Sequence, residues 1–119
     1  MKYMLMLRYL DGEGPAEGTP ELDEEMQVWG AVTGELAESG ALVMAMGLDT
    51  EETATTLRLR DGERLVTDGP FAESKEMFFS FYVIDVADLD EALSWAAKMP
   101  SATYGSVEVR PLSPHEQDG

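Results

Sequence analysis

The chain has 119 residues, 44% of them hydrophobic, and a formal net charge of −16 at neutral pH. This is the size of one domain with enough apolar residues for a packed core. The charge repels phosphate backbones and anionic bilayers and so argues against nucleic-acid and membrane partners. The absence of cysteine excludes a disulfide framework, a thiolate zinc site and a cysteine nucleophile.

Residues 2–10 alternate as a strand, with Tyr3, Leu5, Leu7 and Tyr9 on one side and Met4, Met6, Arg8 and Leu10 on the other. Both sides are mostly apolar, which predicts a central strand covered on both faces. Arg8 is the exception: its head either reaches water at the strand end or holds an anion in a pocket. The apolar opening is broken by Arg8 and lacks a small-residue cleavage site, so it does not read as a signal peptide. No run approaches the roughly 20 apolar residues that span a bilayer. A cytoplasmic protein is expected.

Residues 11–19 read as a loop, and Gly12, Gly14 and Gly18 do not form a phosphate-cradling pattern. Thr19-Pro20 opens a helix, since threonine caps well and proline suits the first helical position. Leu22, Met26, Trp29 and Leu36, with Val32 or Thr33, form its expected core stripe, and Gly40 ends it. Residues 41–48 form a strand with Leu42, Met44, Met46 and Leu48 on one face. Val43, Ala45 and Gly47 make the other, smaller face, open to close approach by a helix or ligand. Strands at 54–60 and 64–67 flank Asp61-Gly62, a strong hairpin signal. Asp68-Gly69-Pro70-Phe71 then makes a stiff turn, with Gly69 pushed toward extended backbone by the following proline.

The longest apolar run, 77–86, is expected at the sheet centre, with Phe79, Phe81 and Val83 on one face and Phe78, Tyr82 and Ile84 on the other. Asp88 and Glu91 form a capping box for a second helix that ends before Pro100. Residues 106–112 are the last strand, with Val107 and Val109 inward. Residues 113–119 form a polar tail expected to fray, leaving one domain over 1–112. Apart from one short hairpin strand the order is βαββαβ, an α+β, ferredoxin-like arrangement with an antiparallel sheet and both helices on one face. The other face bears Leu, Met and aromatic side chains and needs a cover, so a homodimer with sheet packed on sheet is expected.

Metal chemistry finds little to use: there is no HExxH and a single histidine, His115, in the tail. Asp49, Glu51 and Glu52 read as a solvated acidic loop, and no cofactor is implied. Two readings of the stiff turn stay open. In one, Asp68 is a general base beside Gly69, Pro70 and Phe71. Arg8 and Arg110 then hold a small anionic or aromatic ligand, Tyr3, Tyr9 or Tyr82 donates to a developing oxyanion, and Glu73, Lys75 and Glu76 rim the mouth. In the other, Asp68 bonds its own turn, and Glu108 and Arg110, two apart on one strand face, pair with each other or across strands.

The segments Met1–Leu5, Leu57–Gly62, Val66–Glu76, Phe81–Val86 and Gly105–Leu112 together resemble the DGPF-domain proteins of the YCII-related superfamily, in order from residue 1 to about 112. The resemblance implies a dimeric α+β barrel. It also implies a regulatory or stress context, because some such proteins are encoded beside extracytoplasmic-function sigma factors. More distant relatives are small-molecule enzymes with a His–Asp pair, one branch being a dehydrochlorinase of chlorinated hydroxyquinols. Here the histidine of that pair is missing, and Phe79-Ser80 stands where such proteins often carry Gly-Gly.

Overall fold

The structure, a computed structural model, describes residues 1–70 and 76–118. The elements run β1 (Lys2–Leu10), α1 (Pro20–Ser39), β2 (Leu42–Gly47), β3 (Thr55–Arg60), β4 (Glu63–Asp68), β5 (Glu76–Asp85), α2 (Leu89–Ala96), β6 (Gly105–Pro111) and α3 (Pro114–Gln117). Four strands form an antiparallel sheet in the order β2-β5-β1-β6, with β3 and β4 as a separate hairpin. With the hairpin set aside, this is the ferredoxin-like βαββαβ arrangement. The two strands that are apolar on both sides, β1 and β5, hold its centre. Among the described residues no helix is long and apolar enough to cross a membrane.

Local signals set the helix ends. Thr19 Oγ1 accepts from the Leu22 N–H (3.3 Å), and Gly40 closes α1 at φ 81°, donating to Ala37 O (3.2 Å) while the Ala41 N–H reaches Leu36 O (3.1 Å). In α2 the Asp88 carboxylate accepts from the Glu91 N–H (2.9 Å), and the Glu91 carboxylate reaches back to the Ala87 N–H (2.6 Å). The box is therefore displaced by one residue from the usual reciprocal pair.

Both helices lie on one face of the sheet. Tyr3, Leu5 and Leu7 of β1, Tyr82 and Ile84 of β5, Val32 and Leu36 of α1, and Ala92 and Ala96 of α2 form the buried core, with Val107 and Val109 of β6 packed against it. Each fully buried side chain of this size contributes about 1.5–3 kcal/mol.

Two bulges change which side chains share a face. Leu7 pairs with Ser80 but Arg8 with Phe78, so Phe79 is an extra residue in β5. It turns to the helix side, edge-on to Tyr9 (5.0 Å) and Trp29 (6.2 Å), while Phe78 joins Phe81 and Val83 on the open side. Likewise Leu42 pairs with Ile84 and Met44 with Val83, so Leu42, Ala45 and Gly47 face the helices and Val43, Met44 and Met46 face away. The simple alternation expected for these two strands fails at both points, because a bulge reverses every side chain beyond it.

Within the stretch after Leu112 expected to fray, Pro114–Gln117 form α3. The Gln117 side chain accepts from the Lys2 N–H (2.7 Å) and donates to the carbonyls of Lys2 and Leu112 (3.0 Å each). At the other end of the β1–β6 pair, Gly105 lies so close to β1 that a Cβ there would run into the Arg8 carbonyl oxygen. Gly105→Ala is expected to cost about 2 kcal/mol, the scale of an overpacked core position, read as a lower urea midpoint. Gln117→Leu removes three hydrogen bonds to the backbone of Lys2 and Leu112, and is expected to cost about 1–2 kcal/mol and to speed hydrogen exchange at the Lys2 amide.

Candidate functional site

The two faces of the sheet carry different chemistry. On the open face, β1 and β6 place Arg8, Glu108 and Arg110 in one network: Arg8 Nη1 lies 2.9 Å from Glu108 Oε1 and Arg110 Nη2 lies 2.7 Å from Glu108 Oε2. The Arg8 guanidinium also lies over the Phe78 ring, 5.4 Å from its centroid. Beside it the Ser106 hydroxyl donates to Glu76 (2.6 Å). The two arginines expected to hold an anion are thus brought together, but a carboxylate of the chain already occupies the space between them. These pairs are partly exposed, so each contributes at most about 1 kcal/mol.

On the helix face the N-terminal half of α1 stands off the sheet. Leu36 and Val32 are buried as the stripe requires, but Met26 is 58% exposed. The gap is a cleft of about 330 Å3 lined by Met26, Trp29, Gly47, Leu48, Phe79, Ser80 and Tyr82. Small residues on the sheet side, Gly47 and Ser80, face Trp29 and Met26 on the helix side. The Thr33 hydroxyl donates to Trp29 O (2.9 Å) and so receives the Tyr82 hydroxyl (2.8 Å), which fixes the Tyr82 ring as the cleft floor. Leu48 and Phe79 also line a second cavity of about 180 Å3, with Tyr9, Asp49, Glu51 and Phe78 among its walls. Phe79 therefore stands between two hollows.

An aromatic cluster supports this end of the molecule. Tyr104 lies edge-on to Tyr9 (6.4 Å), and its hydroxyl donates to both oxygens of Glu25 (2.8 and 3.0 Å). Trp29 Nε1 donates to the same carboxylate (3.4 Å). Burial, and then the Glu25 carboxylate beside it, hold the Tyr104 phenol well above its ordinary range, so it stays protonated and keeps Glu25 in place. Gly14 of the β1–α1 loop leaves room for the Tyr104 ring, where a Cβ would approach to 2.7 Å.

The Asp-Gly-Pro turn lies elsewhere. Asp68 ends β4, pairs with Thr55 and is exposed. Gly69 takes φ 103° rather than extended backbone; its N–H donates to Ala54 O (2.8 Å) and its carbonyl accepts from Thr56 Oγ1 (2.8 Å). The turn is clamped to the root of the hairpin. Phe71, Glu73 and Lys75 lie outside the described residues. Tyr82 sits across the sheet from Arg8 and Arg110, so these three do not face one ligand, and Tyr3 is buried in the core. Glu51 accepts from the Phe78 N–H (3.3 Å) and Asp49 from the Thr50 N–H (2.7 Å). Among the described residues no three acidic or histidine side chains gather closely enough to hold a metal ion.

The residues that line the cleft were visible in the sequence only as parts of other patterns. Trp29 and Met26 read as core, and Gly47 as part of a small face open to close approach. The Glu25–Tyr104 pair, 79 residues apart, has no local signal.

A protein of Rhizobium meliloti (strain 1021), described as uncharacterized, is 42% identical over 111 residues, covering 91% of this chain and 90% of its own. The family model for the YCII-related domain matches residues 1–116. With the match running from the first strand to the C-terminal helix, the chain belongs to the YCII-related domain family.

Proposed function

We propose that the chain is a cytoplasmic, homodimeric binding module that takes a small neutral aromatic molecule in the cleft between α1 and β5. The carrying observation is the cleft itself. Its roughly 330 Å3 is at the lower end of the usual range for small-molecule sites, and its walls are apolar and aromatic with a few polar edges. Trp29, Phe79 and Tyr82 offer ring faces and edges, and the Ser80 and Tyr82 hydroxyls, which donate to Met46 O and Thr33, are left as acceptors. Among the described residues no cation lines this cleft, and Glu25 stands behind Trp29, which disfavours an anionic ligand. Arg8 and Arg110, the residues suited to an anion, are on the other face and engaged by Glu108.

The open face supports the dimer. Met4, Met6, Met46 and Phe81 share it by register, and Met46 is 57% exposed. A contiguous apolar surface of this kind calls for a partner, and a second copy packing sheet on sheet covers both copies at once. A module whose cleft reports a ligand also suits the regulatory setting that the sequence resemblance implies, beside extracytoplasmic-function sigma factors. The enzyme alternative, with Asp68 as base, draws less support: Asp68 is exposed at the end of β4, and the Gly69 beside it is bonded to Ala54 and Thr56 at the root of the hairpin.

Trp29 makes the cleft testable. In a Trp95→Phe background, titration with phenol, cresol and naphthol is expected to quench Trp29 fluorescence saturably, with half-saturation below about 1 mM. Ser80→Trp, which fills the cleft, is expected to abolish binding. Linear quenching, or binding that survives Ser80→Trp, overturns the cleft. For the dimer, sedimentation equilibrium is expected to give two copies for the parent chain and one for Met46→Asp, with unchanged circular dichroism. A monomeric parent at 50 μM, a test concentration of about the scale set by a weak dimer, counts against the pairing.

A further inference from the structure

The β3–β4 hairpin is the part of the chain with least to hold it. Neither strand packs extensively against another element. Its Asp61-Gly62 turn has positive φ at both residues, 52° and 80°, the geometry of a tight two-residue hairpin connection. The described chain measures 48 × 42 × 18 Å with a radius of gyration of 16.4 Å, against about 13–14 Å for a compact chain of this length. The hairpin is an arm. A two-stranded ribbon alone is marginal in water, so an arm of this kind calls for a surface to lie on.

Its two faces differ. Direct pairing puts Leu57 opposite Val66 and Leu59 opposite Arg64 on one face, and Arg58 opposite Leu65 on the other. Leu59 is 61% and Val66 56% exposed. Toward the turn that face is three apolar side chains and one guanidinium, with Thr55 and the Asp68 carboxylate at its root, and Arg64 has no ion-pair partner among the described residues. The arm holds Arg58, Arg60 and Arg64 against Asp61, Glu63 and Asp68. It is therefore neutral, and the rest of the chain carries the whole charge of −16. A surface complementary to this face is apolar with a carboxylate at its edge. The open face of the sheet has one: a hollow of about 280 Å3 lined by Val43, Met44, Val83 and Leu112, with Lys2 and Glu116 at its rim.

We propose that the arm of one protomer lies on this hollow in a second copy of the chain, with Leu57 and Leu59 over the apolar floor and Arg64 toward the partner's Glu116. A six-residue strand reaches about 20 Å, enough to extend beyond its own sheet. Two-fold symmetry makes the contact reciprocal, so each dimer gains it twice. The inference rests on the two-copy assembly proposed above.

Dimer dissociation constants from sedimentation equilibrium test it. Leu57→Thr with Leu59→Thr keeps strand propensity and is expected to weaken the dimer at least 100-fold without changing circular dichroism. Arg64→Glu and Glu116→Arg are each expected to weaken it about 10-fold, and together to return it to within threefold of the parent. That recovery separates a direct contact from loss of fold. If the parent is dimeric and Met46→Asp breaks it while the arm variants do not, the arm inference fails and the sheet-to-sheet dimer stands. Effects of Arg64→Glu and Glu116→Arg that merely add also overturn the contact. A monomeric parent removes both.

Discussion

A sheet whose two central strands are apolar on both sides, with helices enough to cover only one of them, is the constraint under which the rest of this molecule is arranged. β1 and β5 put Leu5, Leu7, Tyr82 and Ile84 under α1 and α2, and that burial secures the chain. The same strands put Met4, Met6, Phe81 and Val83 on the uncovered side. The Arg8–Glu108–Arg110 network then lies along the β1–β6 side of that face, where a polar border gives specificity more than strength. Helix-side burial, apolar open face and charged border are consequences of one register.

Much of this register was legible from the residues. Alternation in 2–10, the Thr19-Pro20 and Asp88–Glu91 helix starts, Gly40 and the Asp61-Gly62 turn are each local chemical signals, and each appears where its chemistry requires. The ferredoxin-like order followed from counting elements. What was not legible was the pair of bulges. An extra residue in a strand leaves no trace in an apolar run: in Met77–Ile84 nearly every side chain suits either face, so nothing marks Phe79 as the one that turns. The tail misled for a related reason, since its polarity described its surface while Gln117 was used for its amide.

The candidate site was less legible than the fold. The stiff Asp68-Gly69-Pro70 turn has the features of a rigid site, a positive-φ glycine and a nearby carboxylate, yet its hydrogen bonds go to Ala54 and Thr56 at the root of the hairpin. Arg8 and Arg110, each read as able to hold an anion, find a carboxylate within the chain, Glu108. The cleft depends instead on the space left beside Met26 of α1 and on Phe79 turning inward, both tertiary outcomes. Phe79 lines both the roughly 330 Å3 cleft and the roughly 180 Å3 cavity, so the inward turn of one side chain shapes both spaces.

The placement of β1 between β5 and β6 also bears on how the chain reaches this state during synthesis. β1 is made well before its neighbour β6, and Gln117 bonds to Lys2 across 115 positions of sequence. Until β6 leaves the ribosome, the most apolar strand pair keeps an unpaired edge. Closing loops that span most of the chain is slow, and an unpaired edge in the interim is a surface for unwanted strand addition. The acidic charge, borne by everything except the hairpin, opposes such association while the nascent chain waits for its last strand.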